Sequence, residues 1–333
     1  MPGSFLHMDP FLSSEEANNM LRIAESFGSF GTYADEATSD GLGESLPQRF
    51  DVGLYYVEHG LGGDGNEDDI DTAASRTNYF RETYAYGGEL QVDGIEPFME
   101  HPLMQATARK ISGCEVIVPA IVYANLLVPG QELAIHTDVP EFRGANRKNA
   151  PQWLLVCMLH SGLFDHWRVP ILTCVSWFGE AQGGAFTFYP DGADGGRDAI
   201  PARHNSAILI DTDKIFHGVE RVSDRRPDLP TIDASTRLHH KGGDQWELRS
   251  NGDTLAEYHW PEIRYSVSWK GCCFADQEGR SLWEDHSDDL TPETIIDRFE
   301  QDLRRRGCLQ GERPDADSFA ALMVQTYIHY PGV

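Results

Sequence analysis

From residue 115 onward, the chain is divided into short apolar segments rich in β-branched residues, most of them separated by Gly, Asp or Pro turns. The first segment, VIVPAIVYANLLVPG, ends in Pro-Gly, a pattern that predicts a buried strand followed by a turn. Six further segments have the same character: Leu172–Phe178, Ala185–Tyr189, Ser206–Ile210, Gln245–Leu248, Leu255–His259 and Arg264–Trp269. Strands that follow one another without intervening helices favour an antiparallel sandwich or barrel over a doubly wound sheet.

Helical patterns flank this β-rich region. The sequence SSEE at 13–16 is typical of a helix start, and a second helix is predicted over Glu96–Ile111. Thr291-Pro292 and Pro314-Asp315 predict the starts of two C-terminal helices. The expected fold class is therefore mainly β with flanking helices (α+β).

No repeat or clean linker divides the chain, so we expect a single domain over residues 1–333. Residues 1–114 are expected to form an N-terminal helical and loop support. A β core is expected over 115–275, and C-terminal helices over 276–333.

The charge balance limits the partners that the protein can bind. The chain has 27 Lys and Arg residues against 53 Asp and Glu residues, a formal net charge of −26. Such a field repels both nucleic acid and anionic membrane surfaces, so neither is expected as a partner. The sequence leaves the oligomeric state open.

Cysteine usage and the N-terminus indicate the compartment. The six cysteines show no zinc-like spacing, which favours reduced and mostly buried thiols. The segment MPGSFLHMDPFLSSEE lacks the basic and apolar regions of a signal peptide. No uninterrupted apolar run approaches the roughly 18 residues of a membrane span. We therefore expect a cytoplasmic protein.

Two loop-like segments precede the β core. Residues 28–48 are rich in Gly, Ser and acidic groups, and Gly60–Asp71 carries five acidic residues. The spacing in Gly60–Asp71 does not fit an EF-hand, so a solvated acidic loop is the favoured interpretation.

One constellation of residues suggests a metal site. His136-Thr137-Asp138 follows a predicted strand and turn, and His217 is expected to end the apolar strand ILIDTDKIFH. Because residues i and i+2 of an extended segment project to the same side, His136 and Asp138 can face one ligand together. With a third ligand from a distant strand they would form a two-His-one-carboxylate set, which suits non-haem Fe(II) oxygenases. An HxD triplet by itself is a weak signal.

The surrounding sequence strengthens this interpretation. The stretch VSWFGEAQGGAFTFYPDG, then ILIDTDKIFHGVERV, then RYSVSW resembles the Fe(II)/2-oxoglutarate oxygenases of the prolyl 4-hydroxylase type. The resemblance runs from about Tyr123 to Trp269, under half of the chain. It implies a double-stranded β-helix (jelly roll) with iron held by His136, Asp138 and His217. It also implies 2-oxoglutarate and O2 as co-substrates and leaves open whether ascorbate takes part.

The resemblance also implies a site for 2-oxoglutarate. Arg264 and Ser266 match the family's RxS pair, and an Arg fork suits a carboxylate. This chain departs from the family pattern in one spacing. Arg264 lies 47 residues after His217, much farther than is usual in the family, which implies an insertion at 218–263. Arg221 is the competing cation. Tyr123 and Asn125 are expected either to hydrogen-bond 2-oxoglutarate or to pack in the core.

The substrate is less constrained. The inserted segment 139–170 has a local charge of +2, and Arg143, Arg147 and Lys148 are expected in a lid that meets an anionic small molecule, unless they only form surface pairs. Trp177 is expected in the core or the pocket wall. By the resemblance, the retained Asp138 favours hydroxylation or another oxidation over halogenation, and the lid makes a small amino acid or carboxylate-type metabolite the expected substrate. A peptidyl prolyl-type hydroxylase and a non-catalytic metal-binding jelly roll are the alternatives.

Overall fold

The computed structural model describes residues 5–33, 49, 51–53, 75–223 and 229–332. The acidic segment Gly60–Asp71 and most of the predicted loop 28–48 lie outside the described residues.

Antiparallel β-structure dominates the described chain. The strands are β1 Phe5–Met8, β2 Ser29–Thr32, β3 Phe80–Tyr86, β4 Glu89–Leu90, β5 Val116–Leu127, β6 Leu133–His136, β7 Glu141–Phe142, β8 Arg168–Val169, β9 Ile171–Phe178, β10 Phe186–Phe188, β11 Asp198–Ile200, β12 Ser206–Ile210, β13 His217–Val219, β14 Arg237–Gly242, β15 Gln245–Ser250, β16 Asp253–His259 and β17 Arg264–Phe274. The helices are α1 Ser14–Phe27, α2 Glu96–Met99, α3 Pro102–Ser112, α4 Gln152–Ser161, α5 Gln277–Glu284, α6 Pro292–Arg305 and α7 Ala316–Tyr327.

The strands form two principal sheets. The large sheet has the order β1-β12-β9-β17-β5-β3-β2-β14-β15-β16, with β4 paired to β3. The small sheet has the order β11-β10-β13-β6, and β7 pairs with β8 separately. Trp177 of β9 and Phe188 of β10 share one buried cluster, so the two sheets pack face to face.

The path of the chain between these sheets defines the fold. From β5 to β17 the chain passes repeatedly between the large sheet (β5, β9, β12, β17) and the small sheet (β6, β10, β11, β13). Eight strands divided in this way between two antiparallel sheets form a jelly roll. The predicted jelly-roll core is therefore confirmed. The predicted strands recur within a few residues, and β17 continues five residues beyond the predicted end, to Phe274.

The outer face of the large sheet packs against the N-terminal helices. Ser13 and Glu16 form the capping box that starts α1, as predicted. The single helix predicted over Glu96–Ile111 is wrong, because the chain is extended at His101 and a new helix begins at Pro102. The residue before a proline disfavours helical geometry, which explains the break.

A second core lies around α4, inside the segment expected to be a lid. All seven residues from Trp153 to Leu159 are buried, and they pack with α6 and α7. A helix that is apolar on every side is stable only when other elements surround it. The middle of 139–170 is therefore a buried helix.

The C-terminal region contains three helices where two were predicted. α6 begins at Pro292 with Thr291 as its cap, and α7 follows Asp315, as predicted. The additional helix, α5, has an N-cap at Asp276.

The residues between His217 and Arg264 mostly continue the large sheet. Strands β14, β15 and β16 form a meander that pairs with β2 at Leu238↔Phe30. This part of the expected insertion therefore extends the sheet sideways beyond β2. In the part of the chain that the structure describes, no helix is both long and apolar enough to cross a bilayer.

Candidate metal centre and co-substrate pocket

Two neighbouring strands of the small sheet bring the three expected metal ligands together. His136 is the last residue of β6, and it lies directly opposite His217 of β13. Asp138 follows two residues later, where its backbone N–H donates to the carbonyl of Thr212 at 2.9 Å. The expectation that His217 ends its strand is wrong. The strand ends at Ile210, a turn carries the chain to the other sheet, and His217 begins β13.

The ligand atoms converge on one point. Asp138 Oδ1 lies 3.6 Å from His136 Nε2 and 3.8 Å from His217 Nε2. One ligand atom from each of the three residues lies within 4.8 Å of the other two. Metal–ligand bonds of about 2.0–2.2 Å can be satisfied from this arrangement with small adjustments. A facial set of two imidazoles and one carboxylate leaves adjacent coordination positions open, and this donor set suits Fe(II).

Hydrogen bonds orient both imidazole rings. Nδ1 of His136 lies 2.8 Å from the carbonyl of Ala134, and Nδ1 of His217 lies 2.9 Å from that of Ile215. A carbonyl oxygen only accepts, so each Nδ1 donates and each Nε2 keeps its lone pair for a metal. Burial, helped by the neighbouring His136, lowers the pKa of His217 to about 3. At neutral pH His217 is therefore in its ligating form.

A buried lysine holds the carboxylate from the opposite sheet. Lys270 of β17 is 2% exposed, and its Nζ lies 2.7 Å from Asp138 Oδ2. Burial raises the pKa of Asp138, but Lys270 and the two imidazoles outweigh burial and hold this pKa well below its usual range. Oδ1 thus faces the imidazoles while Oδ2 is occupied by Lys270. This arrangement leaves one oxygen of Asp138 for a metal.

The sequence interpretation missed Lys270. The available signal was a lysine between Trp269 and the apolar end of the strand RYSVSWKGCCF. A charged side chain is almost never fully buried without a partner, so this position could have been marked as part of an ion pair.

A second buried carboxylate lies beside this lysine. Asp213 is fully buried, and its Oδ1 is 4.0 Å from Lys270 Nζ. Its other cationic neighbour is Arg168, at 3.8 Å. Burial raises the pKa of Asp213 to about 7. Lys270 is therefore shared between two carboxylates.

Arg264 is buried in the interior face of the same strand. It is 2% exposed, its Nε donates to the Gly184 carbonyl at 2.7 Å, and its Nη1 donates to Ser266 Oγ at 3.2 Å. Burial lowers the pKa of Arg264 to about 9. No carboxylate among the described residues forms an ion pair with this guanidinium. A buried guanidinium of this kind is a ready partner for an anion that enters from outside.

The Gly-Gly turn creates the space that Arg264 occupies. Gly184 has a φ of +63°, and a Cβ at this position would lie 2.5 Å from Arg264 Cδ. Only glycine meets both requirements, the left-handed backbone and the close approach.

The competing cation, Arg221, has an acidic partner. Its Nη2 lies 3.3 Å from Glu132 Oε2, and Glu132 also pairs with Arg76. Of the two arginines, Arg264 is therefore the better candidate to bind the carboxylate of a ligand.

The remaining expected pocket residues share the face of Ser266. Ser266 pairs with Asn125 on one side and with Trp177 on the other, and Tyr123 lies two residues before Asn125. Asn125 Oδ1 and Trp177 Nε1 are both buried without a hydrogen-bond partner among the described residues. Buried polar atoms normally have partners, so these two orphaned atoms fit a pocket that receives a polar ligand.

The basic residues of 139–170 are largely engaged elsewhere. Arg143 makes a bidentate pair with Asp288, at 2.7 and 2.9 Å. Lys148 lies 4.6 Å from the centre of the Tyr86 ring and lines a cavity of about 390 Å³ with Glu141 and other residues. Arg147 is half-buried, and its charge acts on Glu141. Each of these cations thus has interactions within the protein.

Comparison with known proteins yields similarities only among solved structures. No family model matches the chain, and neither does any curated protein. One similar structure is an oxidoreductase of the 2OG-Fe(II) oxygenase family from Burkholderia pseudomallei, 9% identical, with a TM-score of 0.42, covering 81% of this chain and 85% of that one. A Pseudomonas putida prolyl-4-hydroxylase is 8% identical, with a TM-score of 0.38 and coverages of 82% and 94%. The carbocyclase SnoK from nogalamycin biosynthesis is 10% identical, with a TM-score of 0.43 and coverages of 88% and 90%.

Proposed function

We propose that this protein is an Fe(II)- and 2-oxoglutarate-dependent oxygenase that hydroxylates an unactivated C–H bond of a small amino acid or carboxylate-type metabolite. The proposal depends on one observation above all. Arg264 is buried, has no carboxylate partner among the described residues, and lies on the same face of β17 as Lys270. Lys270 contacts Asp138, the carboxylate of the metal-ligand set. Residues at i, i+2, i+4 and i+6 of a strand share one face, so the cation and the metal centre belong to one interior.

Each group in this interior has a separate task. His136, Asp138 and His217 would hold the iron on one side, which leaves room for substrate and co-substrate on the other. Arg264, with Ser266 beside it, would bind the distal carboxylate of 2-oxoglutarate, and Asn125 and Tyr123 would line the same pocket. Trp177 and Phe186 would form an apolar wall near His217 and limit the access of water.

The iron would supply the redox chemistry of the reaction. One oxygen atom of O2 enters the substrate as a hydroxyl group, and the other enters succinate as 2-oxoglutarate loses CO2. The overall change thus oxidises one C–H bond and one 2-oxoacid with one O2 molecule.

The alternatives are less well supported. A metal-binding jelly roll without catalysis has no use for a buried guanidinium that lacks a carboxylate partner, so Arg264 disfavours it. A peptidyl hydroxylase remains the rival, and the choice of substrates in the assay decides between the two.

The direct test is succinate formation by the purified protein with Fe(II), O2 and 2-oxoglutarate. Free amino acids, small carboxylates and proline-rich peptides are tested as prime substrates. We expect 2-oxoglutarate turnover that small amino acids or carboxylates stimulate. A clear preference for peptides would favour the peptidyl hydroxylase instead. The absence of both iron binding and 2-oxoglutarate turnover would refute the oxygenase proposal.

Three variants and one control assign the roles of the site residues. His217→Ala should lose turnover, whereas His259→Ala, at an exposed histidine paired with Asp244, should not. Arg264→Ala should weaken 2-oxoglutarate binding by roughly 30-fold or more, because a desolvated charged pair is lost. Arg221→Ala should weaken it much less, and the reverse order would assign the co-substrate to Arg221.

A further inference from the structure

A second arginine that forms no ion pair with a described carboxylate lies on the inner face of the large sheet. Arg81 of β3 lies directly opposite Asn125 of β5, which in turn lies opposite Ser266 of β17. Residues directly opposite each other in antiparallel strands project from the same face of a sheet. Arg81 therefore shares the face of the proposed 2-oxoglutarate pocket, one strand further out. The sequence interpretation did not single it out.

Three tyrosines surround this guanidinium. Its Cζ lies 3.7 Å from the ring centre of Tyr123 and 4.9 Å from that of Tyr33. The Tyr33 ring stacks on Tyr79 with centres 5.3 Å apart, and Tyr79 also interacts with Arg81. Aromatic faces stabilise a cation through their quadrupoles and cover the flat sides of a guanidinium. Arg81 also donates a hydrogen bond to the hydroxyl group of Tyr79. A guanidinium carries five N–H donors, so others remain for a ligand.

The electrostatic situation of Arg81 differs from that of other arginines in the protein. Arg49 pairs with Asp51 at 2.9 Å, Arg143 with Asp288 at 2.7 Å, and Arg168 with Asp211 at 3.1 Å. For Arg81, by contrast, no ion pair with an acidic side chain is found over the described ranges, although the protein has a net charge of −26. A guanidinium surrounded by tyrosines rather than by carboxylates is well placed to accept a carboxylate from a ligand.

The group of residues Tyr33, Tyr79, Arg81 and Tyr123, here named the tyrosine cage, reaches from the surface towards the metal centre. Tyr33, Tyr79 and Arg81 are half-buried, whereas Tyr123 is 4% exposed. Tyr123 lies opposite Ser268, two residues before Lys270, and interacts electrostatically with that lysine. Lys270 in turn holds Asp138. The cage therefore has an accessible outer side and an inner wall that adjoins the metal site.

We propose that Arg81 in the tyrosine cage binds the carboxylate of the prime substrate and thereby selects small carboxylic acids. The inference rests on the proposed function, because it names the substrate class of that site. A carboxylate fits the edge of a guanidinium bidentately, and the aromatic walls would contact the apolar part of the same molecule. The distal carboxylate of 2-oxoglutarate is the other source of the same chemistry, so the experiment has to separate the two.

The experiment measures binding, so that it does not depend on turnover. Benzoate and its neutral isostere benzamide are titrated by ligand-observed NMR into the full-length protein loaded with Zn(II) and 2-oxoglutarate. We expect benzoate to bind at least about tenfold more tightly than benzamide, since only benzoate forms the charge-assisted pair. Arg81→Gln should remove this preference, and Arg81→Lys should keep part of it. Arg280→Gln, which removes a half-exposed arginine paired with Glu284, should leave it unchanged.

A parallel titration with 2-oxoglutarate identifies the source of the carboxylate. Arg81→Gln should change 2-oxoglutarate affinity by no more than about twofold, whereas Arg264→Ala should weaken it by roughly 30-fold. Equal binding of benzoate and benzamide by the native protein would overturn the inference. A benzoate preference that survives Arg81→Gln would overturn it as well, and so would a loss of 2-oxoglutarate affinity in that variant equal to that of Arg264→Ala.

The two proposals fail in different ways. If the protein forms no succinate but keeps an Arg81-dependent preference for benzoate, the oxygenase proposal fails and the carboxylate site remains. If succinate forms but the preference is absent, the oxygenase remains and the tyrosine cage does not select carboxylates.

Discussion

At the scale of single residues, the metal centre depends on a cation that is not itself a ligand. Lys270 neutralises Asp138 and adjoins Asp213 in a region where all three side chains are largely removed from water. A divalent metal ion would bring two further positive charges to the opposite side of Asp138. The lysine and the metal therefore act on the same carboxylate, one oxygen each.

The Lys270→Met variant tests this balance. Removal of one partner from a buried ion pair costs about 3–5 kcal/mol, because the remaining charge is uncompensated. We therefore expect the metal-free variant to be strongly destabilised. Mn(II) should raise its melting temperature more than that of the native protein, because the metal replaces part of the lost positive charge. Thermal unfolding with and without Mn(II) measures both effects.

Lys241→Met is the matched control for that experiment. Lys241 pairs with Glu247 and Glu257 at a half-exposed position on β14, far along the sheet from β17. Its loss should change stability little and should leave the response to Mn(II) unaltered. Equal Mn(II) responses in Lys270→Met and the native protein would show that Lys270 does not influence the metal-binding carboxylate.

At the scale of secondary-structure elements, the turn before β10 positions the proposed 2-oxoglutarate arginine. Gly184→Ala should place a methyl group against Arg264 Cδ, 2.5 Å away, and displace the guanidinium. We expect weaker 2-oxoglutarate binding, by at least about tenfold if the displacement breaks a charged pair. Isothermal titration of the metal-loaded protein measures it.

Gly192→Ala provides the control for the backbone contribution. Gly192 has a φ of +88° with no atom within 4 Å of a Cβ built there, so its substitution causes backbone strain without crowding. Gly192→Ala should lose on the order of 1 kcal/mol of stability from backbone strain, and Gly184→Ala should lose more because crowding is added to the strain. Only Gly184→Ala should lose affinity for 2-oxoglutarate, and equal affinities in the two variants would contradict the role of the turn.

The C-terminal helices are joined by one buried carboxylate. Asp302 of α6 is 3% exposed, accepts a hydrogen bond from Tyr327 of α7 at 2.8 Å, and pairs with Arg305 and Arg306. Burial raises the pKa of Asp302, but these hydrogen bonds outweigh it and lower the pKa to about 2. The stabilisation by Asp302 is thus present above the ordinary pKa of about 3.9 and is lost as the pH falls towards 2.

Asp302→Asn should therefore destabilise the protein in a pH-dependent way. At neutral pH the loss should be about 1–3 kcal/mol, the range for hydrogen bonds to a charged group. The difference from the native protein should shrink between about pH 4 and pH 2. Urea unfolding across this range measures it, with Asp297→Asn, at an exposed position of the same helix, as the control. A difference that is constant with pH would mean that Asp302 is not ionised in this network.

At the scale of the whole molecule, the jelly roll and the C-terminal helices share the helix α4. Trp153, Leu155 and Met158 are fully buried in the cluster that also contains Phe299 of α6 and Met323 of α7. Because α4 belongs to the segment between β6 and β9, the C-terminal helices cover an apolar surface that the jelly roll itself presents.

A chain that ends at residue 275 should therefore not fold stably. Loss of α6 and α7 exposes an apolar helix whose large side chains each contribute about 1.5–3 kcal/mol when fully buried. We expect an aggregated product or one without a cooperative unfolding transition, measured by light scattering and circular dichroism. A soluble, cooperatively unfolding fragment would show that residues 276–333 are dispensable for the core.

The sequence alone predicted five of the eight jelly-roll strands (β5, β9, β10, β12 and β17) and the three metal-ligand candidates, but it missed β6, β11 and β13. Strands are encoded locally, by β-branched segments and turn residues, and His136 and Asp138 are near enough in the chain for a two-residue period to predict a common direction. Only the tertiary structure decided what depends on distant partners. Lys270 reaches Asp138 across 132 residues, and Arg81 meets Tyr123 through strand pairing. The apolar segment from Trp153 to Leu159 became a buried helix because α6 and α7, more than 130 residues later, enclose it. Burial and charge compensation are properties of what surrounds a side chain, and local sequence does not contain its surroundings.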